Sequence, residues 1–214
     1  MAGGLGSRMV SDIPKQFILI AGVPIIFRTI QAFLQFEAGM EVVVALPEDH
    51  FPLWQKLCEE HDFRFAVKIV KGGETRFHSV KNALEHIGDD RVVAIHDAVR
   101  PLVAQATIEQ GFRDALTFGN AIPVITVNES VRWAEGRINR QVERDHLRIV
   151  QTPQVFDSSL IKKAYLRAGI TQYTDDASVL EALGESIHLY QGTRENIKIT
   201  FPTDLIFAES MLKR

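Results

Sequence analysis

The stretch MAGGLGSRM places Gly3, Gly4 and Gly6 just ahead of Arg8. A glycine-rich turn lets backbone N–H groups approach an anion closely, phosphate above all, and a nearby guanidinium supplies countercharge. The spacing matches neither GxxxxGK[ST] nor a clean GxGxxG, and a glycine cluster can also be plain flexible chain. In IPKQF (13–17), Pro14 holds the backbone extended and presents Lys15, which is either simply solvated or a second cation facing the same anion. In KGGETRFHS (71–79), Gly72 and Gly73 bare the backbone after an apolar run. That pattern fits a ligand crevice at a strand end, or a plain turn in which Thr75 caps a helix. HDAVRP (96–101) sets Asp97 between His96 and Arg100 at the end of another apolar run. A carboxylate there needs a partner; its hard oxygens suit a divalent metal, and capping the next turn is the alternative. Arg100 suits a phosphate or carboxylate, while His96 reads as a satisfied core histidine. Lys198 lies between Ile197 and Ile199 and can point away from the core with no role. Asp175 and Asp176, in TDDAS, read as acids at a helix start.

These segments need a frame, and the hydrophobic pattern supplies one. EVVVAL (41–46), FAVKIV (65–70), RVVAIH (91–96), NAIPVI (120–125) and SIHLYQ (186–191) predict strands, mostly apolar on both faces. PIIFRTIQAFLQF (24–36) opens on a proline and predicts a helix. Phe77, Val80, Leu84 and Ile87 recur at helical spacing, as do Ile108, Phe112 and Ala115. Strands alternating with helices predict an α/β fold, a doubly wound and mainly parallel sheet, in one domain spanning 1–214. Each candidate segment then falls at an element's end.

One segment breaks the alternation. VNESVRWAEGRINRQVERDHLRIV (127–150) has short alternating runs, a Glu-Gly turn at 135–136 and many charges, which predicts a hairpin too polar for a core of its own. It is either a solvated surface hairpin or an arm that packs on a second copy of the chain.

The ordered set AGGLGSRM, PKQF, GGETRxxS, HDAVRP, TPQVF, TDDAS and NIKIT resembles the isoprenoid-pathway cytidylyltransferases, the 2-C-methyl-D-erythritol 4-phosphate cytidylyltransferase family, from residue 2 to about residue 212. The resemblance implies a Rossmann-like nucleotidyltransferase fold and transfer of a cytidylyl group from CTP to a polyol phosphate, with pyrophosphate released and Mg2+ required. It implies that Ala2, Gly3 and Gly4 face the cytidine and triphosphate, and that Arg8 and Lys15 stabilise charge on the phosphates. Gly72, Gly73 and Ser79 would meet the base and ribose. Asp97 would serve the metal, nucleotide and substrate, and Arg100, Thr152 and Lys198 would line the polyol phosphate. The arm would make a homodimer and carry Arg144 to a neighbouring site. Relatives have an Asp-Thr pair in the arm where Glu129-Ser130 stands here, after an apparent two-residue insertion following Pro123–Val124; Ser130 keeps the hydroxyl as a substrate contact. Two other readings are a ribitol-5-phosphate cytidylyltransferase, which shares the glycine turn and HDAVRP but not TDDASVLEALG, and a non-catalytic nucleotide-binding module.

Relatives also carry apolar residues ahead of AGG, forming a strand in the middle of the sheet. Losing it would leave unpaired backbone and a hole in the core. The expectation is therefore that Met1 is an internal methionine or a truncation point, which mass spectrometry of the natural protein would test. Composition is that of an ordinary globular chain: 46% apolar, 24% charged, net charge −3. The balance gives no electrostatic case for nucleic-acid binding. No apolar run approaches the ~18 residues of a membrane span, and no signal-peptide pattern precedes the first helix. The single cysteine, Cys58, reads as a small core residue. Together these predict a cytoplasmic protein.

Overall fold

The computed structural model describes residues 13–213. After a single 3-10 turn, Lys15–Phe17, a two-residue-strand hairpin, β1 (Leu19–Ile20) and β2 (Val23–Pro24), leads into α1 (Ile25–Phe36). Pro24 sits where the helix starts, and Ile26, Phe27, Ile30 and Phe33 bury its apolar stripe. Next come β3 (Val42–Leu46), α2 (Phe51–Glu60), β4 (Val67–Lys71), α3 (Arg76–Leu84), β5 (Val92–Ile95) and α4 (Gln105–Phe118). The α4 helix ends at Gly119, whose φ of +80° is the left-handed geometry a β-carbon resists. Then follow β6 (Asn120–Thr126), β7 (Val131–Glu135), β8 (Ile138–Val142), β9 (Arg148–Val150), β10 (Gln154–Asp157), α5 (Ser158–Arg167), α6 (Asp176–Glu181), β11 (Leu189–Gln191) and α7 (Pro202–Leu212).

The main sheet has the order β11-β6-β10-β5, with β9 also on β6. β11 is parallel to β6, and β10 runs antiparallel to both β6 and β5, so β5, β6 and β11 share one direction. β3 and β4 form a separate parallel pair. Side chains alternate across the sheet as the period of two requires. Ile95, Ile122 and Phe156 pack with Phe77, Val80, Ile161 and Leu180 on one face. Ala121 and Val155 face Ala115 and Tyr190 on the other, where Ala94 also packs. Helices therefore cover both faces, as the sequence predicts. The strand β10 escapes the sequence reading because its four residues, QVFD, are too short a run to stand out.

Two boundaries differ from expectation. The helix carrying Phe77 stops at Leu84, so Ile87 lies in the loop beyond it. Residues 148–150, expected within the arm, pair with β6 instead, from Val124↔Val150 to Thr126↔Arg148. The protruding arm is thus the β7–β8 hairpin, turning at Gly136 with φ +57°. Nearly all its residues are exposed, and the Arg140 guanidinium lies over the Trp133 ring, 5.1 Å from its centroid.

The strand expected ahead of the glycine turn lies outside the described residues. Among the described residues β3 and β5 share no ladder. A cavity of about 340 Å³ lies there, lined by Val42–Val44 of one strand, Val92–Ile95 of the other, and Ile26, Ile30, Val80 and Leu84 from the covering helices.

Candidate active site

The site is built at the carboxyl end of β5, where parallel strands of α/β sheets leave a crevice. The strand delivers His96 and Asp97, both buried, and the chain then turns back with Arg100 N–H donating to the Asp97 carbonyl at 3.1 Å. His96 serves as a strut. Its Nε2 lies 3.1 Å from the Arg100 carbonyl, which can only accept, so Nε2 carries the proton and Nδ1 is left as an acceptor. The Thr152 hydroxyl, 2.9 Å away, donates to that Nδ1 and accepts from the Asp97 N–H at 3.1 Å. Burial disfavours the charged imidazolium and lowers the His96 pKa to about 3. The histidine is a satisfied core residue, as its apolar strand suggests.

Asp97 collects cations from distant stretches. Lys198 Nζ lies 3.1 Å and Arg100 Nε 3.2 Å from its Oδ2, while Arg76 Nε stands 3.9 Å from Oδ1. Burial alone would favour the neutral acid, but the charges of Lys198, Arg76 and Arg100 outweigh it and hold the carboxyl well below the usual range. Asp97 is ionised at any physiological pH. The segment carrying Lys198 is pinned by the fully buried Asn196, whose carbonyl accepts from Arg100 Nη1 at 2.7 Å and whose Nδ2 donates to the Thr152 carbonyl at 2.8 Å. Ile199 N–H donates to the Val99 carbonyl at 2.9 Å, which sews the same segment to the turn after β5.

Beside this cluster stands the Gly72–Gly73 turn. Gly72 N–H donates to the Leu46 carbonyl at 2.7 Å, and a β-carbon on Gly73 would fall 2.3 Å from His78 Cβ, so only glycine fits there. Ser79, expected at the base, has its hydroxyl engaged inside the turn. It accepts from Gly73 N–H at 3.0 Å and lies 2.9 Å from the Thr75 carbonyl. Thr75 caps α3 by accepting from His78 N–H, the structural half of the sequence reading of KGGETRFHS.

Asp97, Arg100, Thr152 and Lys198 are therefore brought together from three parts of the chain. Lys15 is half-buried at the start of its 3-10 turn, between extended Pro14 and buried Gln16. Ser130 is exposed on the arm, and Arg144 makes its contacts near the arm, to the Asn128 carbonyl and Asp145. Ala2, Gly3, Gly4 and Arg8 lie outside the described residues. Two charges, partly buried Arg76 and fully buried Asp176, were not expected here. Arg76, at the first position of α3, makes a two-pronged pair with Asp176 at 2.8 and 2.5 Å. The sequence offers only the GGETR context for Arg76 and a helix-start reading for Asp176; their pairing spans 100 positions. Among the described residues no three acidic, histidine or cysteine side chains gather as a metal cage. What Asp97 offers is one buried carboxylate that Lys198 and Arg100 approach most closely at Oδ2, at 3.1 and 3.2 Å, and that Arg76 approaches most closely at Oδ1, at 3.9 Å.

A family model described as 2-C-methyl-D-erythritol 4-phosphate cytidylyltransferase matches residues 1–214. A curated relative of that name from Bacteroides fragilis is 47% identical over 212 residues, covering 99% of this chain and 97% of its own. One from Phocaeicola vulgatus is 45% identical with the same coverage. The crystal structure of the Thermus thermophilus protein of that name superposes with a TM-score of 0.83 at 31% identity, covering 100% of this chain and 96% of that one. In sequence along its whole length and in fold, the chain belongs to the 2-C-methyl-D-erythritol 4-phosphate cytidylyltransferase family.

Proposed function

We propose that this chain transfers a cytidylyl group from CTP to 2-C-methyl-D-erythritol 4-phosphate, releasing pyrophosphate and forming 4-diphosphocytidyl-2-C-methyl-D-erythritol for non-mevalonate isoprenoid synthesis. The observation that carries the reading, beyond family membership, is the convergence of Lys198 and Arg100 on Asp97 at the end of β5. A phosphate oxygen of the acceptor attacks the α-phosphorus of CTP, a new P–O bond forms, and the bond to the β-phosphate bridging oxygen breaks with its electrons leaving on pyrophosphate. The acceptor phosphate monoester is largely ionised near neutral pH, with a second pKa of about 6, so no general base is required. The reaction's demands are in-line positioning and positive charge where negative charge accumulates. Lys198, half exposed, is free to turn from Asp97 to an incoming phosphate. Lys15 and Arg8 add charge from the glycine-turn side, and Gly72, Gly73 and Ser79 give the cytidine a close-packed backbone wall.

A magnesium ion fits this donor set as a passenger on the triphosphate. Mg2+ commonly binds through one or two carboxylates plus substrate phosphates, and Asp97 supplies one. When bound, it would neutralise triphosphate charge. The arm is proposed to form a homodimer, because its exposed Trp133 and Ile138, and the exposed Ile149 and Val150 of neighbouring β9, gain burial that way, and to bring Arg144 and Ser130 to the partner's polyol phosphate. No helix among the described residues is long and apolar enough to cross a membrane, and a cytoplasmic location suits a pathway of soluble phosphates.

Pyrophosphate release from CTP plus 2-C-methyl-D-erythritol 4-phosphate tests the assignment, with ribitol 5-phosphate as the competing acceptor. Lys15→Ala should lower turnover by roughly 10²–10³, the scale of a lost transition-state donor. Faster turnover with ribitol 5-phosphate, or CTP binding without turnover, would reject it.

A further inference from the structure

Asp176 opens α6 but does not cap it. Asp175 does that, accepting from Ser178 N–H at 3.1 Å. The Asp176 carboxylate, fully buried, turns inward instead and spends both oxygens on Arg76, with the Tyr165 hydroxyl donating to Oδ1 at 2.6 Å. Its backbone is fixed as well, since Gln154 Oε1 accepts from the N–H groups of Asp176 and Ala177 at 3.0 and 2.9 Å. A buried ion pair is a poor stability device, because apolar residues of similar volume often do as well. This one stands next to the candidate site.

We infer that Asp176 is a positioning residue which keeps Arg76 from closing on Asp97, and so keeps Asp97 Oδ1 open for ligands. The inference rests on the proposed function. An arginine offers its donors in a rigid planar fork. Asp176 takes one N–H from each of Nη1 and Nη2, and the guanidinium nitrogen nearest Asp97 is Nε, at 3.9 Å. That distance gives a charge interaction but lies beyond a hydrogen bond. Asp97 Oδ2 already meets Arg100 and Lys198. Among the described residues, Asp97 is the other carboxylate within ion-pair reach of Arg76. Released from Asp176, the guanidinium would pivot onto Oδ1, and both oxygens of Asp97 would be tied to protein cations.

The test uses the full chain carrying Asp176→Asn, alone and combined with Arg76→Met. Asp176→Asn should lower kcat/KM for CTP-dependent pyrophosphate release by about 10- to 100-fold, the range for lost outer partners of ligating groups. Its crystal structure should show Arg76 within hydrogen-bond distance of Asp97. The double variant removes the pivoting cation and should return to within about 3-fold of the parent protein. Because removing both partners also relieves a merely structural pair, the deciding readout is the Arg76–Asp97 contact in the single variant, which a structural pair does not predict. If Asp176→Asn does not fold, the double variant alone carries the test. A folded double variant at least 10-fold slower than the parent overturns the inference, as does an unmoved Arg76 in the single variant. A parent protein without turnover would reject the functional reading instead, and the Arg76–Asp97 distance would still judge the restraint.

Discussion

Asp97→Asn removes one charge at nearly constant shape, and the structure allows the consequence to be worked out. The carboxylate is about nine-tenths buried and faces Lys198, Arg100 and Arg76 within 4 Å, while the Lys198 side chain is 44% exposed. Breaking a buried pair by removing one partner costs about 3–5 kcal/mol, and solvent screening of Lys198 points to the lower end, about 3 kcal/mol. At ~2–4 °C per kcal/mol for a chain of this size, the melting temperature should fall by about 6–12 °C at pH 7. The pH dependence supplies a sharper check. A carboxyl held low in the folded state stabilises the fold above its unfolded pKa of about 3.9, and loses that contribution as pH falls toward the folded value. At pH 3 the unfolded chain takes up a proton that the native chain refuses, which removes roughly 1.3 kcal/mol of the parent protein's advantage. Urea denaturation of both proteins at pH 7 and pH 3 measures the gap. A gap below about 1 kcal/mol at pH 7, or one that does not narrow at pH 3, refutes the view of Asp97 as an ionised hub whose charge the surrounding cations require.

Three further outcomes follow from the geometry. His96 should show no imidazole titration by NMR between pH 5 and pH 8, because burial keeps it neutral down to about pH 3; the unfolded chain protonates near pH 6.5, so this residue's contribution declines as pH falls from there. Gly73→Ala should destabilise the fold by about 1–3 kcal/mol through overpacking, since the new methyl would meet the His78 backbone as well as its side chain; calorimetric melting would register it. Asp175→Ala should cost about 1 kcal/mol as a lost cap and more through Gln154, whose Nε2 donates to Asp175 at 2.8 Å, and chemical denaturation would measure the sum.

What the sequence determines by itself is everything that depends on neighbours along the chain. The apolar runs at 41–46 and 91–96 declare strands covered on both faces, and Pro24 and Thr75 mark helix starts. The charged alternation around Gly136 declares a hairpin without a core of its own, though not that 148–150 would join the main sheet. Each is a local consequence of side-chain period, capping chemistry or turn geometry. The ordered motifs add the family. The short strand β10, which reverses the sheet's direction between β5 and β6, was not legible, because its identity comes from two flanking ladders rather than from its own four residues. The site divides the same way. Asp97, Arg100 and Lys198 could be suspected from their settings, but Arg76 and Asp176 could not. Only the tertiary structure decides that these two charges meet across 100 positions, and that the next carboxylate beyond them is Asp97. Periodicity records which face of an element is dry, whereas a buried charge acquires its meaning from whichever distant partner the packing places within a few ångströms.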